Sequence, residues 1–582
     1  LGICVYIIAR KMQTLYDDII TYICENLSEY ERMSLFATSK HMDQFKHKIS
    51  YDAPIHIDEI RNTPYFDRFT NIKTSKLETN LPRSILHLML DFPFNAPIKD
   101  YKFPQITHLT FNERFDKPLY GHMLPSVTHL TFGYHFNRSI KGCIPSTVTN
   151  LTFGNNFNQN LKDGIPKSVT HLIFGGGFDK PIRGFIPDSV THLKFGYKFN
   201  QSIKGAIPKS VTHLIFGDHF DQPIDDTIPE SVTYLDFGGH FNQTVRGCLP
   251  KFVTHLIFGY QFNQPIDECI PLSVTHLTIY SHYTHPIYNC IPSSVTHLHF
   301  EDFDQPINGC IPQSIVHLTF GRCFNQSIEG CIPKSVTYLN LGWDFNYPIK
   351  GNLPNSITHL ELGGKYDHFV ENCIPNSVTH LSLGHVTSTE NFIPSSVTHL
   401  KIGCGFGRLQ KNVVPLSVTH LQFANNFDEP INGRIPASVT HLIFNDWFNQ
   451  SLKHGDVPTS VTHLVFGIAF RQQLKNYVPQ SVTHVTFRTH YKQKIKECLP
   501  SSVTHISFMG NYNNTIANNI PASVTHLRFC ATFNCEIDSL PATVKYVFLH
   551  KSYKLKIDEN IRLRTKITRH DDKDVHNNDH WK

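Results

Sequence analysis

A proline returns every 21 residues along this chain. Pro82, Pro104, Pro125, Pro145, Pro166 and so on to Pro541 open 23 segments, nearly all 21 residues long, with outliers from 19 to 22. A unit of that length cannot bury its own apolar side and must stack on its neighbours, so a fixed period in the twenties predicts a solenoid.

The segment Ile165–Gly184 shows what one unit does. Its apolar positions are Val169, Leu172, Phe174, Phe178 and Ile182, with Ile186 opening the next copy. Val169, Leu172 and Phe174 have the spacing of a corner residue followed by a short strand with alternate side chains inward. The column of Ile173 lies between inward residues and holds Lys194, Asp236, Glu361, Lys401 and Arg528 in other copies. A dry core does not accept such charges, so that column faces out. The return path carries Pro181, Gly184 and then Ile-Pro, which disfavours a helix and predicts an extended, turn-rich side. The Phe-Asn pair becomes Phe-Asp at Asp179, Asp221 and Asp428. Asn and Asp share only a side-chain carbonyl acceptor, so an Asx-type turn closing the strand is expected.

These residues, Ile-Pro-x-Ser-Val-Thr-His-Leu-x-Phe-Gly-x-x-Phe-Asn-Gln-Pro-Ile, resemble the FNIP repeat, a relative of leucine-rich repeats, over about residues 82–550. The expected fold is mainly β: a leucine-rich-repeat-like right-handed solenoid of about 22–23 repeats with one parallel sheet. A small α-helical domain is expected to precede it.

The rest of the chain divides around that array. Residues 1–11 hold about nine largely apolar residues before Arg10-Lys11, too few for a membrane span and in the wrong order for a signal peptide. They read as an upstream extension, with Met12 the better start. Leu15, Ile19, Ile20, Ile23 and Leu27 lie at helical spacing, with Asp17 and Asp18 in the first turn. Ser28 suits the cap of a second helix containing Met33, Leu35 and Phe36. On their own terms these helices are a cap for the solenoid. The pattern over 12–50 also resembles an F-box, with departures at Tyr16, Asp18 and His41-Met42. That resemblance implies adaptor binding through Leu15, Ile19, Ile20, Ile23, Leu27, Met33 and Leu35. Residues 51–81 read as a junction, and 551–582 as a charged, disordered tail.

Candidate chemistry dissolves into the repeat. Nineteen of 37 histidines share one column, from His87 to His526, with Asn150, Tyr234, Tyr338 and Tyr546 in its other places. A stacked ladder accounts for them, whereas zinc wants four convergent ligands. Repulsion between neighbouring imidazolium ions predicts depressed pKa values and loss of stability in acid. Eight of 14 cysteines sit just before Ile-Pro or Leu-Pro, a corner that suits a small half-buried side chain. No catalytic motif, metal site or cofactor site stands out. A net charge of +5 over 582 residues, with no basic stripe recurring in step with the repeat, argues against a nucleic-acid binder.

The two positions after the strand glycine vary freely, which marks them as an exposed edge. Tyr134, Tyr197, Tyr260, Trp343 and Trp447 stand there, and Tyr and Trp are enriched at interface hot spots, so these five are the expected target-binding residues. The F-box resemblance implies a substrate-recognition subunit of a cullin–RING ubiquitin ligase. Its partners would be an adaptor, a cullin complex and a target protein, without membrane or nucleic acid. The setting implied is cytoplasmic, in a host cell if the protein is viral. The rival reading is a non-ubiquitin scaffold or decoy whose N-terminal helices only cap the stack.

Overall fold

The computed structural model describes residues 44–570 apart from short internal stretches, the longest being 385–391 and 403–411. It divides into two compact units, residues 1–285 and 286–582. In the first unit, β1 (Ile55–His56), β2 (Asn71–Thr74) and β3 (His87–Leu90) begin a ladder that reaches β12 (His276–Ile279). In the second, the strands run from β13 (His297–Phe300) to β25 (Tyr546–His550) and β26 (Lys566–His570). Pairing is parallel and in register with the repeat, as in His171↔His192, Leu172↔Leu193 and Ile173↔Lys194. Between β3 and β25 the described residues contain no α-helix, which agrees with the proline- and glycine-rich return path.

Each turn buries the residues that its pattern marks. Val169, Leu172, Phe174, Phe178 and Ile182 are all buried, while Ile173 and Lys194 of the alternate column are exposed. Phe174 stacks on Phe178 within its turn at 4.1 Å and on Phe195 of the next at 5.7 Å. Apolar burial and continuous aromatic stacking therefore act along the same line. The glycine after the strand is required by approach: a Cβ on Gly175 would overlap the carbonyl of Gly154 one turn earlier.

Polar columns tie the turns together. The amides of Thr170 and His171 both donate to the carbonyl of Thr149, and Ser168 Oγ donates to the carbonyl of Val148 at 2.6 Å. The Asn/Asp column corrects the expected Asx turn. Its carbonyl oxygen accepts from the amide of the same column one turn on: Asn158 to Asn137, Asp179 to Asn158 and Asn200 to Asp179, each at 3.0 Å. The side-chain oxygen is the acceptor, as the Asn/Asp exchange requires, but its partner is the next turn.

The ladder also extends past both expected borders. Asn71↔His87 and Ile72↔Leu88 pair β2 with β3, so the segment 51–81 supplies stacked strands. The short helix α1 (Ile57–Ile60) buries Ile57 and Ile60 against this start. This region lacks the Pro-x-Ser-Val-Thr-His signature but keeps the alternation, with Ile72 and Thr74 buried. At the far end, α2 (Glu559–Arg564), capped by Asp558, leads into β26, which pairs with β25 over five residues. Residues 559–570 are therefore structured, contrary to the expected tail, because Ile561 is buried and Ile567 continues the ladder beside Val547.

Candidate binding edge

The adaptor-binding candidates Leu15, Ile19, Ile20, Ile23, Leu27, Met33 and Leu35 lie outside the described residues. The five aromatic candidates all lie on the variable edge, three in the first unit and two in the second. All five are exposed, Trp343 least at 42% and Tyr260 and Trp447 most at 64% and 63%. They do not form one cluster: Tyr134, Tyr197 and Tyr260 are separated by three turns each.

Most of these rings lean on a neighbour. Tyr197 lies 4.4 Å from the ring of His219, which stacks on His240 at 4.9 Å. Tyr260 lies 5.5 Å from Tyr280, and Tyr134 meets His135 edge-on at 5.0 Å. Trp343 lies over Gly364 of the next turn, where a Cβ would overlap its indole.

Trp447 is presented differently. Asn445 takes the glycine place in its turn and is itself buried. Its Oδ1 accepts from the amides of Trp447 at 2.7 Å and Phe448 at 2.8 Å, and its Nδ2 donates to the carbonyl of Phe427 at 2.9 Å. Asn112 braces a first-unit loop alike, donating to Phe94 and accepting from Arg114. An Asn in the glycine column is the sequence signal for this brace, and it was missed.

The histidine column forms a ladder of stacked rings, with centroids 4.2 Å apart for His171–His192 and His192–His213. Where a threonine precedes the histidine, its Oγ1 engages Nδ1, as in Thr170 Oγ1 to His171 Nδ1 at 3.0 Å, whereas Leu86 and Val316 precede His87 and His317. Burial, and secondly the neighbouring imidazoles, push His108, His463, His484, His505 and His526 down to about 4. Repulsion is thus the smaller cause, not the main one as the spacing suggested. Parallel rings carry their nitrogens side by side, a poor arrangement for a tetrahedral ion. Among the described residues no group of three or more His, Cys, Asp or Glu is placed to hold a metal.

The cysteine corner is buried at Cys269, Cys290, Cys310 and Cys331, whose Sγ atoms donate to the carbonyl two residues back at 3.1–3.4 Å. Burial raises the Cys310 and Cys331 thiols, which keeps them protonated and poorly nucleophilic. Among the described residues no helix is long and apolar enough to cross a membrane.

Comparison with known proteins agrees with this architecture. The FNIP Repeat model matches overlapping segments that cover residues 75–405, 408–446 and 448–552. Among solved structures, the crystal structure of CroV588, described as a novel circular LRR protein, is 35% identical with a TM-score of 0.59. That match covers 89% of this chain and 88% of the other. Among curated proteins, "Putative F-box protein L166" of Acanthamoeba polyphaga mimivirus is 27% identical over 93 residues. The match covers 16% of this chain and only 37% of that relative.

Proposed function

Because the chain belongs to the FNIP repeat family, whose repeats here build a non-catalytic-looking rack, we propose that it binds a target protein for ubiquitination. In this reading it is the substrate-recognition subunit of a cullin–RING ligase. The N-terminal segment with Leu15, Ile19, Ile20, Ile23, Leu27, Met33 and Leu35 docks the adaptor. The aromatic edge holds the target, and catalysis belongs to the ligase's other subunits, with proximity as this chain's contribution.

The observation that carries the binding half is Trp447, held out by the buried Asn445 rather than folded onto a neighbouring turn. A large aromatic on a rigid support loses little side-chain freedom on binding, which suits an anchor. The adaptor half is supported by the F-box-like spacing at Leu15–Leu27 and by the name of the mimivirus relative.

The test is affinity purification of three forms: the full chain, the chain with Ile19→Asp and Ile20→Asp, and the chain with Trp447→Ala. The Ile19 and Ile20 double variant is expected to lose the adaptor and keep the target, and Trp447→Ala the reverse. If the full chain captures no adaptor, the ligase role fails and the scaffold or decoy reading replaces it.

A further inference from the structure

Charge is sorted along the first unit. Residues 137–209 carry ten Lys and Arg against three Asp, a net of +7 that exceeds the +5 of the whole chain. Residues 210–268 carry two basic residues against eight acidic ones, a net of −6. The border falls within the turn opened by Pro208.

Two exposed corners lead into each strand, and they show this sorting residue by residue. The first follows the second apolar residue of the return path, and successive turns place there Lys162, Arg183, Lys204, Asp225, Arg246 and Asp267. The second follows the opening proline and holds Lys167, Asp188, Lys209, Glu230, Lys251 and Leu272. All twelve are exposed. Among the described residues, none of the charged eleven closes an ion pair within the chain. The surface around the first corner is open, since a Cβ on Gly184 or Gly247 would meet nothing within 4 Å.

Counted outward from the border, the signs reverse. Lys204 matches Asp225, Lys209 matches Glu230, Asp188 matches Lys251, and Lys162 matches Asp267. Arg183 against Arg246 breaks the rule, and Lys167 finds Leu272. A row of charges that changes sign when read backwards is complementary to itself turned end for end. A twofold axis lying in the interface, across the turns at the border, performs that turn and sets like column on like column.

The same edge offers apolar anchors. Phe252 is 65% exposed where the other 22 turns place Ser, Thr or Gln, and Leu272 on the next turn is 79% exposed. Large apolar side chains in such places mark contact surfaces.

We propose that this edge of the first unit, centred between Lys209 and Asp225, binds a second copy of the same chain in antiparallel register. An acidic foreign ligand drawn to the basic half would be repelled by the next three turns, and a basic one by the reverse. A second copy carries both signs in the required order. The proposal is independent of the ligase reading. Exposed ion pairs are individually weak and screened, so the dimer is concentration-dependent and salt-sensitive.

The test is the sedimentation-equilibrium mass of the full chain in about 0.1 M and about 1 M salt, where the Debye length falls from about 10 Å to about 3 Å. The expected result is a dimer whose mass falls by half in high salt. Lys204→Glu with Lys209→Glu should give a monomer, and so should Asp225→Lys with Glu230→Lys. An equimolar mixture of the two variants should restore the dimer mass, because each then presents one sign to the other. Misfolded variants would not produce that rescue. A wild-type chain that stays monomeric in low salt overturns the proposal, even if this edge captures some other protein. So does a dimer indifferent to both salt and reversal, or a mixture that stays monomeric.

Discussion

Two loops, Phe174–Phe178 and Phe444–Phe448, span the same frame and do opposite things with it. Both hold two stacked phenylalanines, at 4.1 and 4.3 Å, with three residues between them. In the first the three are glycines, and the backbone lies close against the previous turn. In the second, Asn445 makes side-chain hydrogen bonds to the backbone and Trp447 stands out into solvent. The ring pair thus stacks alike whatever the loop carries, which separates packing from the proposed recognition within one repeat.

The largest test of that separation lies in the shared frame. Phe178→Ala and Phe448→Ala remove equivalent, fully buried rings, so each should cost about 3–5 kcal/mol. The measurement is denaturant unfolding of each variant. Because solenoid stability sums over neighbouring turns, the loss should appear as local opening in hydrogen exchange before global unfolding. Markedly unequal losses would mean that the loop's content does reach the core.

The second test is specific to the braced loop. Asn445→Ala leaves the amides of Trp447 and Phe448 and the carbonyl of Phe427 without their side-chain partner. Unsatisfied buried groups cost about 1–3 kcal/mol each at most, and water reaching the loop will satisfy some of them, so a loss of about 2 kcal/mol is expected. Tryptophan fluorescence should report greater mobility of Trp447. Asn445→Gly should be milder, because glycine is the commonest residue at that place in the ladder.

What the sequence showed and what it hid follow the same division. The strand residues were legible because every turn solves one packing problem: Leu172, Phe174 and Phe178 have the same neighbours one repeat away. The roles of Asn137 and Asn158 were half legible, since the acceptor is a local property while its donor lies 21 residues off. The end turns at Ile72 and Ile567 were hidden because they pair like the others without the proline signature. The proposed binding edge was legible as variability alone; that Trp343 lies over Gly364 while Trp447 stands clear depends on neighbouring turns.

The smallest effect per residue, and the one that compares the two units directly, is the response to acid. The histidine ladder is broken by Asn150 and Tyr234 in the first unit and by Tyr338 in the second, where His463, His484, His505 and His526 form consecutive rungs, all held down at about 4, mainly by burial. A histidine whose folded pKa lies below its unfolded value of about 6.5 leaves the unfolded state with more bound protons as pH falls. Its contribution to stability is therefore complete above about 6.5 and is lost progressively as pH drops from there toward about 4. The melting temperature should fall between pH of about 7.5 and about 5, and hydrogen exchange should speed up first around the four consecutive rungs. Asn150 shows how to remove the effect without removing the rung, because Thr149 Oγ1 donates to its Oδ1 at 2.9 Å where other turns pair Thr with His. The double variant His484→Asn and His505→Asn should keep the strands and lose less of its melting temperature in acid than the wild type. An unchanged acid response in that variant would show that the ladder is not what acid acts on.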